Sequence, residues 1–234
     1  MSITQAEIKQ IRSLREKKFR DELGLFVVEG EKLVREALDS GFEVVRVLRR
    51  EQIGEAAMAR ITQLSSPSPV LAVVARPQAP AAPAPERGLC LALDGIRDPG
   101  NLGTILRIAD WFGVQAVYLS EDCVELYNPK VIQASMGSLF RVQTWTADLP
   151  ALCRRFREAG LPVYGTFLDG EDIYRKTLDP DGLVVMGNEA SGIRPAVAAE
   201  VGAHLLIPSF GRSGAESLNV AAATAVTLSE FRRR

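Results

Sequence analysis

The sequence predicts a two-part α/β protein whose larger, C-terminal part is built on a parallel sheet, and three observations predict it. Five apolar stretches in the second half, LCLALD, VQAVYLS, LPVYGTF, GLVVMG and AHLLIP, alternate with helical segments at Leu102 to Phe112, Ala147 to Ala159, Arg194 to Glu200 and Ser217 to Arg233. Those stretches are apolar on both faces, as strands covered by helices on two sides must be. A segment dense in Pro and Ala, RPQAPAAPAPERG, separates them from a shorter unit with its own helices and strands and reads as a semi-rigid linker. The expected division is an α/β unit over 1–76, a linker over 77–88 and the parallel-sheet unit over 89–234.

In the first unit, Ile8, Ile11 and Leu14 recur at helical spacing among basic residues, which predicts one amphipathic helix from Gln5 to Arg20. LFVVEG reads as a strand ending at Gly30, EKLVREALDS as a helix stopped by Gly41, and FEVVRVLRR as a second strand. A helix near Glu51 to Gln63 and a last strand, VLAVVA, complete it.

The chain has 234 residues, 47% of them hydrophobic, enough to fill a core. No apolar run approaches the roughly 20 residues needed to span a bilayer. The N-terminal stretch MSITQAEIKQIRS is charged rather than apolar, so the reading is cytoplasmic, without a membrane. Cys90, Cys123 and Cys153 are widely spaced, form no CxxC pair and stand beside a single His204, which points to neither a disulfide framework nor a metal site. A net charge of -1 argues against a protein that coats nucleic acid indiscriminately. Yet Lys9, Arg12, Arg15, Lys17, Lys18 and Arg20 face only Glu7 and Glu16 in the first twenty residues. Such a patch can attract phosphate, or simply solvate a helix face.

Ligands of parallel sheets bind beyond the carboxyl ends of the strands, and three loops there carry polar residues beside glycines. The first, DPGNLG, follows LCLALD closely and opens a helix; Asn101 sits where a cap belongs, and Asn is among the best caps. Arg107 lies in that helix among Ile105, Leu106, Ile108 and Ala109, a setting in which an arginine is usually paired or reaching for an anion. The second loop, MGNEASGI, carries Glu189, which a helix N-terminus could also favour through its dipole. The third, IPSFGRSGAESLN, leads into the last helix, where Ser217 or Glu216 could serve as a cap. Neither GxGxxG nor GxxxxGK[ST] occurs at the first loop, so dinucleotide and nucleoside-triphosphate cradles lack support there.

Taken in order, DPGNLGTILRIAD, MGNEASGI and IPSF…ESLNVAAA resemble the three motifs of the SpoU (TrmH) family of S-adenosylmethionine-dependent RNA ribose 2′-O-methyltransferases, in the SPOUT superfamily. KQIRSLREKKFRDELGLFVVEGEKLVREAL resembles the substrate-binding domain often fused ahead of it, a small α/β unit akin to RNA-binding ribosomal proteins. The resemblance implies a deep trefoil knot in the C-terminal sheet, an obligate homodimer formed with help from the last helix, and S-adenosyl-L-methionine as methyl donor. It implies donor contacts at Gly187, Ile207 and Leu218, with Thr166 a further candidate. Asn101, Arg107, Glu189, Ser217 and Asn219 match the polar catalytic positions. The partner would be RNA, ribosomal RNA rather than transfer RNA, and no metal is implied. The stretch Ser209 to Ala215 is longer than the family pattern, which bears on the donor pocket or the dimer contact.

Methylating a ribose hydroxyl is an in-line displacement by a poor nucleophile, and alignment alone can contribute about 7 to 11 kcal/mol in the best intramolecular models. Arg107 suits the developing oxyanion and the neighbouring phosphate, which a guanidinium grips in a fork; it keeps its proton, so its role is electrostatic. Asn101, Asn219 and Ser217 would orient by neutral hydrogen bonds, and Glu189 would fix Arg107 or Asn101, or accept a proton through water. The other readings are a non-catalytic RNA-binding or ribosome-assembly module on the same scaffold, a tRNA 2′-O-methyltransferase, and a SPOUT enzyme acting on a base nitrogen. The last would lack the Asn-to-Arg motif.

Overall fold

Phe26, Ala72 and Val74 alternate with Val27, Leu71 and Val73 along two paired strands, so their sheet has two apolar faces to cover. A computed structural model describes residues 3–77, 87–211 and 217–233. Its contacts divide into two units: 3–77 together with Glu125–Arg141, and the remainder. Most of the expected linker, the stretch 212–216 with Glu216, and hence most of the long loop Ser209 to Ala215, lie outside the described residues.

In the first unit, α1 (Gln5–Ser13) starts at a capping box in which Thr4 and Glu7 each satisfy the other's backbone N–H. The single helix expected to Arg20 breaks after Leu14, and α2 (Lys17–Leu23) begins anew. Arg20 accounts for the break: its Nη1 donates to the carbonyl oxygens of Leu14 and Arg15 at 2.8 and 2.7 Å, satisfying groups a continuous helix would have used. Arg20 is therefore buried, and its Nε donates to Glu125 at 3.1 Å, so it does not belong to the surface patch read from the sequence. Strands β1 (Leu25–Glu29), β2 (Val44–Arg49) and β3 (Val70–Ala75) form an antiparallel sheet in the order β1-β3-β2, with α3 (Glu31–Asp39) after β1. The helix expected over Glu51 to Gln63 is two short ones, α4 (Arg50–Ile53) and α5 (Glu55–Ile61), parted at Gly54.

One face of that sheet packs Val27, Leu48, Leu71 and Val73 on Ile8, Ile11, Leu14, Met58 and Ile61. Aromatic rings gather around Phe26, with Tyr127 at 4.7 Å and Phe42 at 6.2 Å, while Phe140 stands edge-on to Phe42. Tyr127 and Phe140 flank α7 (Pro129–Ser135), a helix not among those expected, which packs on β1. Arg141 pairs with Glu36 and Gln133 Nε2 donates to the carbonyl of Glu29.

The second unit is a six-stranded, wholly parallel sheet in the order β6-β5-β4-β8-β7-β9. Its strands are β4 (Leu89–Leu93), β5 (Ala116–Leu119), β6 (Thr144–Thr146), β7 (Val163–Asp172), β8 (Gly182–Met186) and β9 (Ala203–Leu206). Every residue of the central β4 and β8 is buried, as their unbroken apolar runs require. One face packs on α8 (Leu149–Glu158) and α9 (Pro195–Ala198) through Leu152, Phe156 and Val197. Two further helices, α6 (Pro99–Trp111) and α10 (Val220–Arg232), pack on each other, and Phe231 of α10 meets Tyr164 of β7 edge-on at 5.1 Å. Arg232 closes the far end of α6 by donating to the carbonyls of Phe112 and Gly113, both at 2.8 Å.

Two differences from the expected strands matter. β6 has only three residues, too few for periodicity to reveal. β7 runs beyond Phe167, and Thr166 and Glu171 both lie opposite Leu205, so the intervening residues leave the ladder. Among the described residues, no helix is long and apolar enough to cross a membrane, and no group of His, Cys, Asp and Glu is placed to hold a metal ion.

Candidate active site

The carboxyl ends of β4, β8, β7 and β9 stand side by side; six of the nine expected site residues lie in the loops after these strands, while Asn101 and Arg107 are on α6 and Thr166 is in β7. After β4 the chain turns at Asp94 to Arg97 and enters α6 with Asp98 as its cap, whose carboxylate accepts the N–H of Asn101 at 2.8 Å, and Pro99 in the first turn. This corrects the expectation of Asn101 as the cap. Relieved of that task, its side chain turns to two others: Nδ2 donates to Glu189 Oε1 at 2.7 Å, and Oδ1 accepts Asn219 Nδ2 at 2.9 Å.

Asn219, not Ser217, caps the last helix, with Oδ1 accepting the N–H groups of Ala221 and Ala222 at 3.0 and 3.3 Å. The cap therefore sets the direction of the whole chain of bonds. An amide whose oxygen faces a helix N-terminus must present its nitrogen outward, so Asn101 must present its oxygen to Asn219 and its nitrogen to Glu189. Three of the five expected polar residues, from three loops, thus form one directional series. Ser217 is exposed beside it and has no hydrogen bond among the described residues. Arg107, whose setting suggested an arginine paired or reaching for an anion, is not paired among the described residues. It stands exposed on α6 on the same side as Thr104 and Trp111, with no ion pair or hydrogen bond among the described residues.

Of the expected donor-binding residues, Gly187 and Ile207 directly follow strands, Thr166 lies within β7 and Leu218 directly precedes the cap of α10. Gly187 follows β8 directly, Ile207 follows β9, and Thr166 of β7 directs its hydroxyl at Met186 Sδ, 3.7 Å away. A Cβ at Gly187 would collide with the backbone of Gly192 and Ile193, so only glycine lets the loop fold back through its Asn188–Gly192 bridge. Leu218 is 55% exposed, an apolar side chain left uncovered beside Asn219.

Residues that sequence reasoning passed over sit beneath these loops. Asp94, fully buried, pairs with Arg194 Nη2 at 2.6 Å, and Asn188 Nδ2 donates to the carbonyl of Gly95 at 2.6 Å. An acid closing an otherwise apolar, buried strand was the available signal for Asp94. The Ser120 hydroxyl, donating at 2.7 Å, holds the Asp122 carboxyl below the usual range, helped by Arg194 and Arg97; burial pushes the Cys123 thiol up. A shallow depression lined by Arg157, Tyr164 and Asp179 lies at the opposite, amino-terminal ends of the strands; the Tyr164 hydroxyl there already accepts the Asp179 N–H at 3.0 Å.

Strand ends of a parallel sheet, with a polar series drawn from three segments across them, are the setting in which α/β enzymes bind their ligands. The comparisons make that particular. Residues 88–229 match the model of the SpoU rRNA Methylase family, and residues 5–80 match the MRM3-like substrate binding domain. The chain belongs to the SpoU rRNA Methylase family. It is 31% identical to the 23S rRNA (guanosine(2553)-2'-O)-methyltransferase RlmP of Bacillus subtilis, over 97% of this chain and 96% of that one. A TrmH-family structure from Porphyromonas gingivalis superposes with a TM-score of 0.89 at 41% identity, covering 99% of this chain and 98% of the other. An AdoMet-bound rRNA methyltransferase from Sinorhizobium meliloti does so with a TM-score of 0.90 at 34% identity, covering 100% and 97%. The expected SPOUT fold, a methyltransferase acting on RNA and S-adenosyl-L-methionine as its cofactor are therefore established for this chain.

Proposed function

We propose that the chain methylates a ribose 2′-hydroxyl of ribosomal RNA in the cytoplasm, working as a homodimer whose C-terminal sheet is threaded into a trefoil knot. The observation that carries the reading is the Asn219–Asn101–Glu189 series set at the strand ends, with Arg107 exposed further along α6 and unpaired among the described residues. Gly187, Ile207, Leu218 and Thr166 would hold S-adenosyl-L-methionine, which when bound supplies an electrophilic methyl group next to a positive sulfur.

The chain's own residues do the rest. Arg107, with no partner among the described residues, is available to a phosphate and to the charge that develops on the ribose oxygen. Asn101 holds Glu189 by Oε1; among the described residues Oε2 meets only Asn188 Nδ2, at a weak 3.4 Å, and is the atom placed to take the ribose proton, directly or through water. Ser217, exposed beside Asn219, can hydrogen-bond the sugar.

Support for the dimer comes from Trp111, 85% exposed near the end of α6 and too large an apolar surface to leave to water without a use. Support for the knot comes from strand order: β8 lies between β4 and β7, while the following β9 lies beyond β7. The rRNA preference rests on the relatives named for 23S rRNA, and the cytoplasmic setting on their bacterial hosts.

The test is methyl transfer from labelled donor to purified rRNA and tRNA, with the nucleosides read by mass spectrometry. A 2′-O-methylnucleoside in rRNA is expected. Methylated base, methylated tRNA alone, or donor binding without transfer would each refute the reading.

A further inference from the structure

Asp94 directly follows β4 with a carboxylate whose side-chain exposure is 0%, and both of its oxygens are spent on one residue. Oδ2 accepts the backbone N–H of Arg194 at 2.7 Å, while Oδ1 accepts its Nε at 2.7 Å. Arg194 is where the Glu189 loop ends and α9 begins. At the other end of the loop, Asn188 donates to the Gly95 carbonyl and accepts the N–H groups of Ala190 and Ser191 at 2.9 and 3.1 Å. Both ends of the loop are thus fastened to two successive residues, Asp94 and Gly95, which themselves lead into the turn that presents Asn101.

The fastening closes into a ring. Arg194 Nη1 lies 3.5 Å from Asp122, Asp122 accepts the Ser120 hydroxyl, and Ser120 accepts the Gly95 N–H at 2.8 Å. Only the carboxylate of this pair is buried, the Arg194 side chain being 47% exposed, and such a pair is weak evidence for a gain in stability, because desolvating the acid offsets the attraction. What a two-pronged guanidinium on a buried carboxylate does supply is direction. Here the direction fixes how far Glu189 stands from Asn101, and catalytic groups must hold such distances within about 0.5 Å.

We propose that Asp94 and Arg194 are positioning residues for methyl transfer, acting through the Asn101–Glu189 contact and touching neither RNA nor donor. This rests on the 2′-O-methylation reading for its kinetic consequence, but the clamp itself can be examined without turnover. Arg194→Ala keeps the main-chain bond to Asp94 and removes the fork. Amide hydrogen exchange in residues 187–193 of the full chain is expected to accelerate in that variant while the strands stay protected. Unchanged exchange there would overturn the clamp whatever the activity.

The kinetic arm is a double-mutant cycle. In the otherwise native enzyme, Arg194→Ala is expected to lower kcat about tenfold or more, since small misplacements of reacting groups are costly, and to leave the KM for RNA within about twofold. In a Glu189→Gln background the same change should cost less than about twofold, because the group it positions is already disabled. Equal losses in both backgrounds would show Arg194 to be merely structural. Should Arg194→Ala fail to fold, Arg194→Lys retains the charge without the fork and is read in the same cycle and exchange experiment. An enzyme that methylates no RNA at all would sink the functional reading while leaving the exchange result to judge the clamp.

Discussion

Asn219 Oδ1 is committed to the N–H groups of Ala221 and Ala222, so the side-chain nitrogen has one use left, and that use is Asn101. Asn219→Asp separates the two tasks. Aspartate caps as well as asparagine, so the melting temperature should hold, whereas replacement by alanine should cost about 1 kcal/mol. The aspartate cannot donate to Asn101, and methyl transfer should fall on the order of tenfold, the worth of one neutral hydrogen bond. A variant that loses stability but not turnover would reverse the assignment. Arg107→Ala should leave calorimetric donor affinity intact while transfer falls by about a hundredfold or more, as when one preorganised donor is lost. Arg107→Lys should recover little of it, and donor affinity lost along with turnover would contradict the role. Asp122 adds a pH dependence: its carboxyl is depressed, first by the Ser120 hydroxyl and then by Arg194 and Arg97. The stability it contributes is full above its ordinary value of 3.8 and is lost as acid carries the pH down through and below that value. Urea midpoints measured at pH 7 and near pH 3 should converge more for Asp122→Asn than for the parent.

At the scale of elements, the strands of the second unit were legible because burial on both faces demands unbroken apolar runs, and Leu89–Leu93 and Gly182–Met186 supply them. The motif loops were legible as residue types but not as partners. Asn101 and Asn219 are 118 positions apart, and nothing local says that one amide will meet the other. Local chemistry even misled, since Asn101 is a good cap and Asp98, three residues earlier, is an equally good one. Arg20 escaped for the opposite reason: within a run of surface cations, nothing marks the one whose carboxylate lies more than a hundred residues away. The loop after β8 invites a direct test. Gly187→Ala should force the backbone of Gly192 and Ile193 apart. Donor binding measured by calorimetry should be lost, with the far-UV circular dichroism unchanged; normal affinity would show that the donor site lies elsewhere.

At the scale of the whole molecule, the segment Glu125–Arg141 leaves the larger unit after β5, packs with the smaller one and returns to form β6. Its helix is short, begins at a proline and has no long apolar stripe, so periodicity did not expose it. Glu125 takes the buried guanidinium of Arg20, and Tyr127 lies against Phe26 and under Arg76. Deleting residues 1–76 would therefore do more than remove an RNA-binding surface. It would strand a buried carboxylate and an aromatic ring, and the truncated protein should aggregate or melt early. A truncation that also replaces 125–141 with a short Gly/Ser bridge should be better behaved and should show donor affinity with weakened RNA retention on filters. Equal solubility of the two truncations would argue that the segment folds without its partners.

That returning arm also bears on how such enzymes could exchange targets over evolutionary time. A crossover at the Pro/Ala-rich joint would import a new N-terminal module while keeping an arm fitted to the old one, mismatching Arg20 with Glu125 and Phe26 with Tyr127. Recombinant hybrids of two family members should accordingly need a pair of grafts, and the two seams should drift as one unit among descendants.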